Sequence, residues 1–152
     1  MNEEKIRIDP PLYLASTTIC CWRCGAEMPA VAPLAPNVPD TEGEICILSN
    51  IQDLPPWVLT WIQKRFPTFR LKYSKTTRSR YYANTCPDCG LLSGDFYLHE
   101  EPGAPFFPTT KEEARSLAIE MVPMRESILV RTGLGMGTGD LILENARKIG
   151  RA

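Results

Sequence analysis

The alternation of apolar and polar residues predicts several short strands separated by turns. β-Branched and aromatic residues over 12–19 predict a strand that runs into the first cysteines, and the apolar run 45–48 predicts a second strand. Aromatic residues on both sides of a turn in 79–98 predict two β-rich arms. The segment 29–44 is predicted to be a loop, because prolines at positions 29, 33, 36 and 39 remove backbone donors.

Helical periodicity predicts three helices. The first begins at 54–56, where a proline suits the first turn, and Pro67 ends it. The second covers 111–121 after a capping box of Thr110 and Glu113, and the third has Asp140 as its N-cap and ends near Gly150. A strand over 127–131 and a flexible glycine loop over 132–139 are expected between them. The residues expected to face inward are Trp57, Val58, Trp61 and Ile62 in the first helix and Ala114, Leu117, Ala118 and Met121 in the second.

Composition and charge restrict the class of protein. The chain has 152 residues, of which 43% are hydrophobic and 23% charged, values typical of one soluble globular domain. Seventeen basic and 18 acidic side chains give a net charge of −1, so bulk electrostatic attraction to nucleic acid or membrane is not expected. No targeting signal and no 18-residue apolar run is recognisable, which predicts a cytoplasmic protein without a membrane partner. Cysteines in that compartment stay reduced.

Two short segments share the pattern C-x-x-C-G, namely 21–25 and 86–90. Two intervening residues allow a tight turn to point both sulfurs the same way, and the glycine permits a positive φ. Two such turns supply four thiolates, so Cys21, Cys24, Cys86 and Cys89 are predicted to bind one structural Zn²⁺. A redox dithiol is less favoured, because neither turn begins a clear βαβ unit.

The remaining cysteines and the single histidine leave alternatives open. Cys20 could chelate with Cys24, but on an extended strand it would face away from Cys21, which is therefore preferred. Cys46 lies in an apolar run and is predicted to be a core residue. His99 could replace a sulfur, although four sulfurs are already present. Because one histidine must serve every catalytic triad, no catalytic residue and no small-molecule substrate are predicted, and enzyme activity is not expected.

A basic segment over 64–82 is the best candidate for nucleic-acid binding. It contains seven cationic side chains, five aromatic rings and no acid, while the rest of the chain has a net charge of −8. Cations can neutralise phosphates and aromatic rings can stack on unpaired bases. The alternative is a solvated segment whose aromatic residues belong to the core. The candidate residues are Lys64, Arg65, Arg70, Lys72, Lys75, Arg78, Arg80 and Tyr81.

The two cysteine turns, together with YYAN (81–84) and GDFYLH (94–99), resemble a zinc-ribbon-like segment of uncharacterised bacterial and phage-associated proteins. The resemblance covers about 20–108 and implies metal binding at the four cysteines, but no reaction. We therefore expect an α+β fold in a single domain, 1–152. A small antiparallel zinc-ribbon-like β core over 12–108 would carry a helical insert, 29–80, and 109–152 would add C-terminal helices.

These expectations lead to two hypotheses of function. The first is a non-catalytic zinc-binding module with nucleic acid as a candidate ligand through 64–82. The second is a protein-interaction, inhibitor or immunity-type protein, in which the aromatic and proline-rich segment 102–108 binds another protein.

Overall fold

The computed structural model describes residues 5–75 and 77–150, and ten strands of that part form one branched, largely antiparallel sheet. Four short helices pack on it. The strands are β1 (Ile6–Ile8), β2 (Tyr13–Cys20), β3 (Glu27–Ala35), β4 (Cys46–Asp53), β5 (Phe69–Ser74), β6 (Ser79–Thr85), β7 (Leu92–Ser93), β8 (Ala118–Met121), β9 (Ile128–Gly135) and β10 (Arg147–Ile149). The helices are α1 (Pro56–Arg65), α2 (Asp95–His99), α3 (Lys111–Arg115) and α4 (Gly139–Asn145).

The main path of the sheet runs β1-β9-β4-β3-β2-β8-β10, and a second arm leaves it at β4. In that arm β6 pairs with β4, β5 and β7. Strand β10 runs parallel to β8, whereas the other pairs among the described residues are antiparallel. The sheet therefore joins segments from both ends and the middle of the chain.

The predicted loop 29–44 is wrong over its first part, because β3 occupies Glu27–Ala35 and pairs with β2 from Glu27 to Leu34. Strand β3 can contain these prolines because successive backbone N–H groups of a strand point to opposite sides. Val31 directs its N–H and C=O away from β2, toward the side chain of Asn84. Pro29 and Pro33 have the same parity as Val31, so their missing donors lie on the side that β2 does not use.

Apolar side chains cover both faces of the central strands. One cluster includes Leu14, Val31, Leu48 and residues of α1, and the other includes Ala15, Ala32 and residues of α2 and α4. Burial on both faces explains the nearly continuous apolar sequence of β3, which shows no alternation. Helix α1 confirms the first predicted helix, but of its predicted face Val58 and Ile62 are buried while Trp57 is 42% exposed.

The second predicted helix, 111–121, is too long. Thr110 Oγ1 accepts a hydrogen bond from the Glu113 N–H at 3.1 Å, so the predicted N-cap is confirmed. The helix nevertheless ends at Arg115, and 118–121 forms β8 between β2 and β10. Met121, expected to face inward, is 57% exposed. Strand pairing on both edges overrides the weak helical pattern of this segment.

Three other boundaries also differ from the sequence prediction. Strands β6 and β7 confirm the β-rich arms, but residues 95–99 form α2 instead of continuing the second arm. Strand β9 extends through Gly135 into the predicted glycine loop. The last helix has Thr138 rather than Asp140 as its N-cap and ends at Asn145, and β10 follows it.

The α+β class is confirmed, with a mostly antiparallel sheet and few helices. The small zinc-ribbon-like core is not confirmed. Strands of the predicted insert (β3 and β4) and of the predicted helical extension (β8, β9 and β10) share the sheet with β2 and β6, which lead into the cysteine turns. Among the described residues, no helix has the length and apolar character needed to cross a bilayer.

Candidate metal centre

The two cysteine turns have the same backbone geometry. In the first, the Gly25 N–H donates to the Cys21 carbonyl at 2.9 Å, and in the second the Gly90 N–H donates to the Cys86 carbonyl at 2.9 Å. Gly25 and Gly90 have φ values of +78° and +79°, which is the left-handed conformation that glycine adopts without strain. The repeated C-x-x-C-G pattern therefore encodes two matching turns.

Each turn also directs backbone N–H groups at its sulfurs. The Arg23 N–H lies 3.4 Å from Cys21 Sγ, and the Asp88 N–H lies 3.4 Å from Cys86 Sγ. Hydrogen bonds of this kind stabilise thiolates over thiols. The first cysteine of each turn directly follows a strand, so β2 and β6 set the position of the two turns.

The four predicted cysteines lie together at the ends of these strands, and their sulfurs all fall within 4.8 Å of one another. Cys21 Sγ is 3.6 Å from Cys89 Sγ, and Cys24 Sγ is 3.6 Å from Cys86 Sγ. A regular tetrahedron of sulfurs about 2.3 Å from a central ion has edges of about 3.8 Å. The spacing of the sulfurs thus fits one tetrahedral metal ion.

The pKa values of the thiols depend on the backbone donors and on one another. The Cys24 N–H is the main cause that lowers the pKa of Cys21 to about 6, and the Arg23 N–H and the Cys89 thiol act in the same direction. The Ala26 N–H lowers the pKa of Cys24, but the Cys86 thiol, burial and the other two thiols together raise it to about 12. One thiolate forms readily, whereas four thiolates in contact require a cation to offset their mutual repulsion.

The structure also places the three residues for which alternatives were open. Cys20 is exposed and is not one of the four clustered cysteines, which supports the choice of Cys21. Cys46 is fully buried in the larger apolar cluster, as predicted. His99 is not part of the cluster either: it is buried on α2 and contacts the Phe106 ring, with centroids 5.1 Å apart.

The basic residues of 64–82 are distributed over several surfaces. Arg65 stacks on Trp61 and donates to both carboxylate oxygens of Glu120, at 3.0 and 3.1 Å, so it is already paired. Tyr81 is 1% exposed and cannot stack on a base from outside. Six exposed or half-buried cations remain: Lys64 on α1, and Arg70, Lys72, Lys75, Arg78 and Arg80 on the β5–β6 hairpin.

The β5–β6 hairpin divides its cations between two faces. Side chains alternate along a strand, so Arg70 and Lys72 share the face of Tyr81, which pairs with Lys72. Arg80 lies on the opposite face and pairs with Tyr73, which is 52% exposed. Lys75 and Arg78 flank the turn between the strands. The proline-rich segment 102–108, the candidate protein-binding surface, instead packs inward through Phe106 and Pro108.

Trp22 and Tyr97 were not singled out from the sequence as candidate site residues. Trp22, inside the first cysteine turn, is 62% exposed, yet its indole Nε1–H donates to the Leu92 carbonyl at 3.0 Å. Tyr97 on α2 is 64% exposed. The available signal for Trp22 was an aromatic residue at an x position of the first C-x-x-C-G pattern. Both side chains border one groove next to the cysteine cluster.

Comparison of the chain with protein-family models, with proteins of curated function and with solved structures finds no match. The function is therefore inferred from the residues and geometry of this chain.

Proposed function

We propose that this protein is a non-catalytic binding module in which one Zn²⁺ ion joins the two cysteine turns. The observation that carries the proposal is the convergence of four sulfurs from two matching C-x-x-C-G turns, all within 4.8 Å of one another. An all-sulfur site of this geometry suits Zn²⁺, which prefers tetrahedral coordination and binds thiolates well. The ion would link β2 and β3 to β6 and β7 across an intervening segment of 61 residues.

A structural role follows from the ligand set. Four thiolates fill a tetrahedral coordination shell, so no position remains for a water molecule that the metal could activate. The two inner ligands, Cys21 and Cys86, are 3% and 2% exposed and pack with Met28. Cys24 and Cys89 are exposed, so the site is half-buried, and a saturated ion there would stabilise the surrounding strands.

Elemental analysis of the purified chain tests the metal. We expect about one zinc per chain for the wild-type protein. Cys89→Ser removes one ligand and is expected to release most of the zinc. Cys20→Ser, at an exposed cysteine outside the cluster, is the matched control and is expected to retain it. The proposal would be contradicted if the wild-type protein contained no metal while its four clustered cysteines were reduced. Equal zinc content in the two variants would also contradict it.

We further propose that the module binds single-stranded nucleic acid through the β5–β6 hairpin. Support comes from the cations of this hairpin and its turn: Lys72, Lys75, Arg78 and Arg80 form no salt bridge with any described residue. No acidic residue occurs between 64 and 82. Unpaired surface cations beside the exposed ring of Tyr73 match the needs of a phosphate backbone with unstacked bases.

The salt dependence of binding to single-stranded DNA and RNA tests this second step. The logarithm of the association constant should fall linearly with the logarithm of the salt concentration, with a slope of about −0.7 per neutralised phosphate. Charge reversal at Arg78 and Arg80 should reduce both the affinity and the slope. Reversal at Lys111, an exposed cation on α3, is the control. Salt-independent binding, or equal loss in the control, would exclude an interface at the hairpin.

A further inference from the structure

The strongest unassigned feature of the molecule is a groove beside the cysteine cluster, with a volume of about 330 Å³. We propose that this groove, the Trp22 groove, holds an unpaired nucleobase of single-stranded nucleic acid in contact with the rings of both Trp22 and Tyr97. This inference rests on the proposed nucleic-acid binding and adds a base-contacting site to the phosphate contacts of the hairpin. The groove is lined by Trp22, Ser74, Thr77, Tyr81, Leu92, Gly94 and Tyr97.

The walls of the Trp22 groove are two exposed aromatic side chains, and one of them is held in place. Trp22 and Tyr97 are 62% and 64% exposed, more than any other large apolar side chain among the described residues. The hydrogen bond from Trp22 Nε1 to the Leu92 carbonyl, at 3.0 Å, fixes the indole relative to the second cysteine turn. An exposed ring that is already ordered loses little conformational entropy when a base stacks on it.

The floor of the groove is rigid and mostly apolar. Tyr81 is buried there, and its hydroxyl accepts a hydrogen bond from the Asp95 N–H at 3.0 Å. Leu92 belongs to β7, which pairs with β6 next to the cysteine cluster. The volume lies within the range of about 300–1,000 Å³ that is typical of ligand pockets. The groove therefore offers a preformed apolar surface to a flat ring.

Cations around the groove favour a polyanion as the occupant. Lys72 pairs with Tyr81 across the hairpin, on the face that forms the floor. Lys75 and Arg78 are neighbours in sequence of the lining residues Ser74 and Thr77, and Arg23 follows Trp22. None of these four cations forms a salt bridge with a described residue. A proline-rich peptide would use the aromatic walls but would leave these charges without a partner.

Two oligonucleotides separate base stacking from phosphate binding. We would measure the affinity of the zinc-bound protein for an oligothymidylate about twelve nucleotides long and for an abasic chain of equal length. Trp22→Ala and Tyr97→Ala are each expected to weaken oligothymidylate binding by about 5- to 100-fold, the range for losing one stacked base. Their affinity for the abasic chain should stay at the wild-type level. Trp57→Ala, at an exposed tryptophan of α1, is the matched control.

A spectroscopic measurement adds a second criterion. A stacked base quenches indole fluorescence, so oligothymidylate should quench the wild-type protein. Trp22→Phe keeps an aromatic ring and should retain most of the affinity, but it should lose that quenching. Zinc content is measured for every variant, and if Trp22→Ala loses zinc, Trp22→Phe and Tyr97→Ala decide the outcome.

The possible outcomes separate this inference from the proposed function. If both alanine variants bind oligothymidylate as the wild type does while hairpin charge reversal weakens binding, the Trp22 groove does not hold a base. The proposed hairpin interface then remains supported. If the wild type binds neither oligonucleotide at low salt, both proposals fail. If a proline-rich peptide binds in a Trp22-dependent manner and oligothymidylate does not, the groove is a peptide site and the inference is overturned.

Discussion

Asn84 acts as a short substitute for a strand on the open side of β3. Its Oδ1 accepts from the Val31 N–H at 2.9 Å, and its Nδ2 donates to the Val31 carbonyl at 3.1 Å. These two bonds are the ones a neighbouring antiparallel strand would form. They satisfy a buried peptide group between Pro29 and Pro33, where no full strand partner lies. One side chain on β6 therefore joins the two arms of the sheet.

Replacing Asn84 by alanine should cost about 2–4 kcal/mol of unfolding free energy, because it leaves the N–H and C=O of Val31 buried without partners. Urea denaturation at neutral pH measures this change. Asn37→Ala is the matched control, since Asn37 is exposed and makes one side-chain bond to the Pro10 carbonyl. We expect the control to cost less than about 1 kcal/mol. A loss at Asn84 no larger than at Asn37 would exclude the strand-like role.

Asp95, the first residue of α2, has a buried carboxyl group that contacts a bend of β4. Its Oδ2 accepts from the Asn50 N–H at 2.7 Å, and Asn50 has a positive φ of 49° within the register shift of β4. Burial is the main cause that raises the Asp95 pKa to about 7, and the charge of Glu100 adds to it, although the Asn50 N–H opposes the shift. The folded protein therefore holds a proton that the unfolded chain has lost between about pH 4 and 7.

The stability that this proton provides is fully present below about pH 4 and is lost as the pH rises to about 7. Asp95→Asn keeps an oxygen acceptor for Asn50 but cannot titrate. We expect the unfolding free energy of the variant, relative to wild type, to rise by about 2 kcal/mol between about pH 5.5 and 7.5. Denaturant titrations at several pH values measure it. A constant difference would mean that Asp95 is ionised throughout this range.

His99 gives a contrast of opposite sign. Burial lowers its pKa to about 4 from 6.5, so its contribution to stability is present above pH 6.5 and is lost as the pH falls through about 4. Between about pH 4 and 6.5 the two groups oppose each other in the wild-type protein. Comparing Asp95→Asn with wild type at each pH cancels the His99 contribution, which is why the difference is the quantity to measure.

At the scale of elements, the glycines of segment 132–139 allow β9 and the start of α4 to pack closely against β4 and Ile45. A Cβ at Gly135 would lie 3.0 Å from Ile47 Cγ2, and a Cβ at Gly139 would lie 2.5 Å from Ile45 Cγ2 and 2.6 Å from the Ile45 carbonyl oxygen. Gly137 differs, since nothing lies within 4 Å of its Cβ position, but its φ is +101°. The segment is therefore a packed element in which single glycines have different roles.

Gly139→Ala should consequently destabilise the fold more than Gly137→Ala. The first change forces Ile45 or the start of α4 to move, at a cost of about 1–3 kcal/mol or more. The second change costs about 1 kcal/mol of backbone strain. Chemical denaturation of the two variants compares them directly. Equal costs, or a larger cost at Gly137, would favour the flexible connector expected from the sequence.

Local sequence rules succeeded where a feature is determined by neighbouring residues. The two cysteine turns, the Thr110 cap and the start of α1 depend on spacings of a few residues, and all three were predicted. The rules failed where a distant partner decides the structure. Pro29 and Pro33 suggested a loop because nothing local shows that β2 pairs on one side and Asn84 bonds Val31 on the other. Residues 118–121 became a strand because β2 and β10 flank them.

At the scale of the whole molecule, the candidate metal ligands could be found from the sequence but their structural setting could not. Spacing identified which sulfurs would face together, whereas the sheet order depends on pairings between segments more than a hundred residues apart, such as β1 with β9. The site lies at the ends of β2 and β6, in a fold that has two larger apolar clusters of its own. The cysteines share a third, small cluster with Met28.

This arrangement predicts a local response to metal removal. Bound Zn²⁺ offsets half of the negative charge of four thiolates. After chelation at neutral pH, the thiolates repel each other or take up protons, and the two turns separate. Hydrogen exchange should therefore accelerate in peptides covering 19–28 and 84–93, while peptides of β1, β4 and β9 remain protected by the larger cluster. The thermal midpoint should also fall.

Mass spectrometry of exchange in the zinc-bound and chelated protein makes the comparison, with Cys20→Ser treated identically as the control for thiol chemistry outside the cluster. Loss of protection along the whole chain would mean that the sheet cannot fold without the ion, as in small zinc fingers. Unchanged exchange in both turns would mean that the strands alone hold the sulfurs together. Only a graded loss of exchange protection, greatest at the turns and absent from β9, agrees with an ion that joins the two turns of a sheet whose larger clusters pack without it.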